Sequence, residues 1–175
     1  LTASITWADN RAAAWALRVK RDPDGLAIYR RTGTPIHPMS PLSKLLWLRH
    51  EHPKLWRQAT RFIGIKEYVF RRLCGEYVVD HSIASATGLF NLESLAWDEG
   101  ALQLAGITEA RLSTLVPTPH RMKLIDARQA HDLRLAAAPP LIVRAPAPLL
   151  SPPSRAPIQP AALAPTHRPR GPLRP

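Results

Sequence analysis

The residues with the best claim to chemistry in this chain are few and lie in its first half. Asp9 and Arg11 are two apart in T-W-A-D-N-R, and a guanidinium at that spacing could hold a ligand's carboxylate beside the aspartate. The same two residues also fit a helix cap and a surface ion pair. Asp80 and His81 resemble an acid/base pair in Y-V-V-D-H-S-I-A-S-A-T-G-L-F-N, Tyr77 to Asn91. As neighbours on a strand they would point to opposite faces, so no dyad is expected of them. Asp80 reads instead as a hydrogen-bonded anchor for the Ser82–Thr87 backbone. The seven histidines show no metal-ligand spacing, and His50 and His52, flanking Glu51, read as solvated. Cys74, the one cysteine, excludes an intrachain disulfide and reads as a buried structural thiol in a reducing compartment. The tryptophans read as packing residues spread over separate elements.

Positioning these residues calls for alternating strands and helices. Ser4–Trp7 is expected to end a strand, and Asp9 or Asn10 to cap a helix over Arg11–Lys20. Asp22–Gly25 reads as a turn, Leu26–Arg31 as a short helix, and Gly33–Pro38 as irregular because of its prolines. Pro41 suits the first turn of a helix carrying Leu42, Leu45, Leu46 and Leu48, and Pro53 opens another over Lys54–Thr60. Arg61–Ile65 is expected as a strand, Lys66–Cys74 as a helix stopped by Gly75, and Tyr77–Asp80 as a strand. Leu95–Ala105 and Glu109–Leu115 are expected as helices. The fold class that follows is α/β, in layers. The mixture in Tyr77–Asn91 implies a strand running into a buried turn whose small polar groups are hydrogen-bonded.

Charge divides the chain. Its net charge of +11 and pI near 11 would ordinarily raise nucleic acid or an anionic membrane as partner. Residues 1–143 hold 19 Lys/Arg against 13 Asp/Glu, a balance of +6, whereas residues 144–175 hold five Arg and no acid. Ten of the 19 prolines fall in that last stretch. Residues 1–143 therefore read as a globular domain and 144–175 as a disordered Pro/Arg-rich tail. A non-enzymatic protein whose tail binds nucleic acid or an acidic partner is the competing class. Five arginines spread among ten prolines, with no aromatic platform, make a poor nucleic-acid site. No apolar run approaches the ~18 residues of a membrane span.

Several motifs together resemble the FGGY carbohydrate kinases, in particular their gluconate kinase branch. M-S-P-L-S-K-L-L-W-L-R-H-E, Met39 to Glu51, is similar to the family signature, with His50 departing from it. Thr6–Arg11 resembles a W-x-D-x-R element, and G-x-P-I-H-P-M, Gly33 to Met39, the gluconate kinase variant. Ile65–Phe70, Tyr77–Asn91 and Leu115–His120 continue in the family's order. The resemblance implies part of an actin-like, ribonuclease-H-like N-terminal sugar-binding domain. It implies a cytoplasmic enzyme that phosphorylates gluconate or a related sugar acid with ATP and Mg²⁺. Asp9 and Arg11 would meet a polyhydroxy acid, His37 and Met39 would lie in the sugar-contacting loop, and Lys44 could reach an anionic sugar group. Each of these residues also has a purely structural reading.

Phosphoryl transfer needs a phosphate cradle, an acidic residue for Mg²⁺, and a base for the attacking hydroxyl. The family's D-x-G-T-T hairpin would precede Leu1. Its catalytic aspartate would stand in a G-A-S-D-G-like turn after a strand that the resemblance places over Pro139–Val143, and at that turn this chain reads R-A-P-A-P-L-L-S. No catalytic residue is therefore assigned. The tail composition matches GC-rich codons read out of frame, so a frameshift or mispredicted end near Arg144 is expected. The DNA read in three frames tests this, and finding no G-A-S-D-G-like reading would refute it. The isolated chain is expected to be inactive, as part of a longer kinase.

Overall fold

The computed structural model describes residues 3–123 and 141–142. Three helices open it: α1 (Ala13–Arg21), α2 (Pro23–Thr32) and α3 (Pro41–Glu51). Asp22 caps α2 by accepting the Asp24 N–H at 2.9 Å, and Pro23 occupies the first helical position, where no amide is needed. The expected Asp22–Gly25 turn is thus the cap and first turn of a helix longer than Leu26–Arg31. Gly25 lets α2 sit on the end of α1, where an added Cβ would stand 1.9 Å from the Val19 carbonyl oxygen. α3 buries Leu42, Leu45, Leu46 and Leu48, each such side chain worth about 1.5–3 kcal/mol of burial. A short α4 (Pro53–Gln58) and then α5 (Ile65–Cys74) follow, the latter closed by Gly75 in the left-handed region at φ 80°.

The strands are short. β1 (Val78–Asp80) pairs in parallel with β4 (Thr114–Val116), with Val78 opposite Thr114 and Asp80 opposite Val116. Asp80 caps a single helical turn, α6 (His81–Ala84). β2 (Phe90–Asn91) and β3 (Ala96–Trp97) form an antiparallel hairpin, followed by α7 (Glu99–Ala105) and a 3₁₀ turn over Glu109–Arg111. β5 (Arg121–Met122) pairs antiparallel with β6 (Leu141–Ile142), inside the strand expected over Pro139–Val143. Alternation along β1 splits the interior. Val79 enters the main core with residues of α1, α2, α3 and α7, Leu89, Phe90 and Trp97. Val78 enters a second cluster with Phe70, Cys74, Val116 and Met122. The parallel pair is thus covered on both faces, which is the layered α/β arrangement expected.

Several expectations are corrected. Ser4–Trp7 is no strand: Asp9 N–H turns back to the Thr6 carbonyl at 3.2 Å. Neither Asp9 nor Asn10 caps α1 with its side chain; the helix begins at Ala13, with Ala12 at the cap position. Arg61–Ile65 is irregular up to the start of α5, its Phe62 N–H bonded to the Arg111 carbonyl at 2.9 Å without a repeating ladder. Leu95–Ala105 is helical only from Glu99. The Asp98 carboxylate accepts the Ala101 N–H at 2.9 Å and fixes the helix start there, while Leu95 turns the hairpin at φ 54°. Glu109–Leu115 gives one 3₁₀ turn and then β4, where Thr114 and Val116 suit a pleat better than a helix. The tail beginning at residue 144, with the proposed frame change, lies outside the described residues.

Asp98 gives a pH-dependent test of this packing. Arg31 donates to it through Nε at 2.6 Å and Nη2 at 2.8 Å, and the Ala101 N–H and Asn91 amide add to these bonds. The Arg31 bonds foremost hold its carboxyl below the usual range, although burial opposes them. A depressed folded pKa means stability that is present above the unfolded value, about 3.9, and lost as pH falls through the folded one. Burial drives Glu67 the other way, so its protonation favours the fold as pH falls. Urea midpoints of wild type and Asp98→Asn are therefore expected to converge below about pH 4 and to diverge above it. A constant gap between them across pH 2–7 would refute the assignment.

Candidate functional site

The Thr6–Arg11 loop and the N-terminal part of α3 bring three of the five candidate residues together. Arg11 donates to Asp9 through its backbone N–H at 3.0 Å and through Nε at 2.8 and 2.7 Å, and its Nη2 lies 2.7 Å from Oδ2. The Arg11 hydrogen bonds hold the Asp9 carboxyl below its ordinary range, and Asp9 in turn raises Arg11. The ion-pair reading of these residues therefore holds, and the cap reading does not. Lys44, one turn into α3, donates from Nζ to the Thr6 carbonyl at 2.5 Å. Burial lowers its pKa; the Asp9 charge opposes that shift and the Arg11 charge adds to it. The Arg11 guanidinium also lies 4.9 Å from the Trp47 ring centre, which fixes it against α3.

His37 and Met39 occupy the loop between α2 and α3, both exposed. His37 Nδ1 accepts the Met39 N–H at 3.2 Å, which places the proton of a neutral ring on Nε2. Ser40 donates from its N–H and its hydroxyl to the His37 carbonyl at 3.0 and 2.9 Å, and its own carbonyl accepts the Lys44 N–H at 3.2 Å. Loop and lysine are thus joined through the first turns of α3.

The Asp9, Arg11 and Lys44 groups carry one negative and two positive charges. The arrangement suits binding: cations for an anionic group, and a carboxylate of depressed pKa that accepts hydroxyls without taking their protons. Trp7, 73% exposed in the same loop, was read from sequence as a packing residue, yet it offers an open indole face. An apolar ring beside polar groups suits the C–H face of a polyol, and its place in T-W-A-D-N-R was the only available signal.

The anchor reading of Asp80 holds. Its Oδ1 accepts the Ser82 and Ile83 N–H groups at 3.1 and 3.3 Å. Oδ2 pairs with Lys66 at 2.5 Å, a partner that sequence reasoning missed. His81 is not beside it on the strand but opens α6, its ring 5.2 Å from Phe90, so the two form no dyad. Cys74 is buried, and burial pushes its thiol up, as a structural thiol requires. His50 and His52 are exposed, stacking on Trp15 at 4.1 Å and meeting the Trp47 edge at 4.5 Å.

Two clefts lie elsewhere. One of about 360 Å³ is lined by Arg61, Trp97, Glu109 and Ser113–Leu115, the other, of about 410 Å³, by Asp24, Ile28, Arg31, Gly100 and Gln103. Among the described residues no three His, Cys, Asp or Glu side chains could share a metal ion. No glycine-rich phosphate cradle occurs among them either. The described residues thus offer neither a cradle for the phosphates of ATP nor a carboxylate cluster for Mg²⁺. No helix among the described residues is long and apolar enough to cross a membrane.

Residues 1–145 match the N-terminal domain of the FGGY family of carbohydrate kinases. Gluconokinase of Bacillus licheniformis is 58% identical over 118 residues, which is 67% of this chain and 23% of that protein. Autoinducer-2 kinase of Yersinia pestis bv. Antiqua (strain Angola) is 31% identical over 118 residues, 67% of this chain and 22% of its own length. The crystal structure of gluconate kinase from Lactobacillus acidophilus superposes with a TM-score of 0.78 at 37% identity. It covers 83% of this chain and 30% of its own. The chain thus spans about a quarter of the curated relatives it matches. With an α/β layering that superposes on sugar kinases and a family match running from its first residue to residue 145, the chain belongs to the FGGY family of carbohydrate kinases.

Proposed function

We propose that this chain is sugar-binding sequence of an ATP-dependent kinase that phosphorylates gluconate or a closely related sugar acid. The observation that carries the reading is the meeting of Arg11 and Lys44 around Asp9. That constellation suits a ligand with a carboxylate at one end and hydroxyls along its length. Arg11 and Lys44 hold the carboxylate, Asp9 accepts hydroxyls, and His37 and Met39 border the ligand from the loop before α3. Trp7 supports its carbon chain. The identity to gluconokinase supports the choice of acid. ATP with Mg²⁺ as phosphoryl donor, a cytoplasmic setting, and a domain over 1–143 with 144–175 appended belong to the same proposal. The general base and the phosphate-binding groups come from outside the described residues.

Replacing Arg11 or Lys44 by Met is expected to weaken gluconate binding about five- to tenfold. The loss is read by calorimetric titration of the chain with gluconate, using glucitol, the same polyol without the carboxylate, as reference. Equal affinity of the unaltered chain for the two ligands would end the sugar-acid reading. Extended by its flanking coding sequence in frame, the polypeptide is expected to phosphorylate gluconate, whereas the 175-residue chain turns over no ATP. Turnover by the chain alone would place the chemistry within it and overturn the assignment.

A further inference from the structure

The loop carrying His37 and Met39 is fastened at both ends to one half-buried turn, residues 82–87. At its start, Thr34 donates from Oγ1 to the Ser85 carbonyl at 2.6 Å. At its end, the Leu42 N–H, which α3 cannot satisfy internally, donates to the Thr87 carbonyl at 3.0 Å. The receiving turn is itself held firmly. Asp80 caps its first residues, the Ser85 hydroxyl donates to the Ser82 carbonyl at 2.9 Å, and the Thr87 hydroxyl to the Ala84 carbonyl at 2.6 Å. Gly88, at φ 75°, lets it approach Leu42 so closely that an added Cβ would stand 3.2 Å from the Leu42 Cβ. Of the two fastenings, only the one at Thr34 is made by a side chain.

We propose that Thr34 is a positioning residue for the sugar-acid site. Through Ser85 it clamps the open end of the 33–41 loop, so that His37 and Met39 are presented in one arrangement. The proposal rests on the reading that this loop borders the ligand. A loop free at its Thr34 end samples many conformations and binds only from the competent fraction, so affinity falls by that fraction. The clamp therefore acts on substrate binding and not on the chemistry of transfer.

Thr34→Val keeps shape and removes the donor, whereas Thr34→Ser keeps the donor. In the 175-residue chain, Thr34→Val is expected to speed amide exchange at Met39, Ser40 and Leu42 about tenfold, with α7 unchanged and Thr34→Ser close to the parent. It is also expected to weaken gluconate binding about three- to tenfold. Unchanged exchange in the Val variant overturns the clamp, whatever happens to binding. Faster exchange with unaltered gluconate affinity, where His37→Ala does lower that affinity, overturns the positioning role. A parent chain that binds no gluconate defeats the functional reading, and with it the positioning role. Exchange then still decides whether the clamp exists.

Discussion

Asp80→Ala is expected to remove about 3–5 kcal/mol of stability, among the largest effects of any single substitution in this chain. Asp80 is completely buried, and its carboxylate does three things at once. It caps α6 through the Ser82 and Ile83 amides, it pairs with Lys66, and it ends the β1 strand. Loss of a cap alone costs about 1 kcal/mol, and each amide left without a partner about 1–3 kcal/mol. Lys66 tempers the total. Its side chain is 24% exposed, so it can swing towards water when its partner is gone. Asp80→Asn isolates the parts, because its amide oxygen still caps α6 while the charge pairing is lost. A smaller loss of about 1–2 kcal/mol is expected there. Urea unfolding followed by circular dichroism at pH 7 measures both, and a loss under 1 kcal/mol for the Ala variant would contradict the anchor role.

Gly25→Ala is expected to cost more than about 3 kcal/mol, against the usual sign of that exchange in a helix. In an unhindered helix, Gly to Ala gains about 1 kcal/mol through backbone entropy. Here the new methyl would stand 1.9 Å from the Val19 carbonyl oxygen and 2.8 Å from its carbon. Those are backbone atoms at the end of α1, so no rotamer change relieves the overlap and the two helices must part. Ala16, Val19 and Ile28, all within the main core, would lose contact as they do. Thermal unfolding should show a fall of about ten degrees or more for a domain of this size. A melting temperature equal to or above the parent's would mean that α1 and α2 do not approach as described.

Much of the helical half is legible in the sequence because its punctuation is local. Pro41 and Pro53 stand at first helical positions, Gly75 and Gly106 follow helix ends, and the leucines of α3 mark a buried face. The strands are harder, because two or three residues give no alternation to read. Arg61–Ile65 and Ser4–Trp7 have strand-like composition, yet their backbone bonds go to single partners and not to a ladder. Trp97 falls inside the helix expected over Leu95–Ala105, although Asp98, a favoured N-cap residue, is the local signal that the helix starts after it. The candidate site divides similarly. Asp9 and Arg11 are two residues apart, and their pairing could be expected. Lys44 joins them only through the Thr6 carbonyl, and Lys66 finds Asp80 across an intervening turn; both contacts depend on tertiary placement.

The parallel register of β1 and β4 sets a clock during synthesis. Val78 takes its place opposite Thr114, 114 − 78 = 36 residues later in the chain. At ordinary elongation rates of about 5–20 residues per second, that interval is roughly two to seven seconds. During it Asp80 can already hold Lys66 and cap α6, whereas β4, the pairing partner of β1 among the described residues, is not yet made. Until Val116 arrives, the nascent chain must cover Val79 with α1, α2 and α3, and Val78, on the opposite face, with Phe70 and Cys74 of α5.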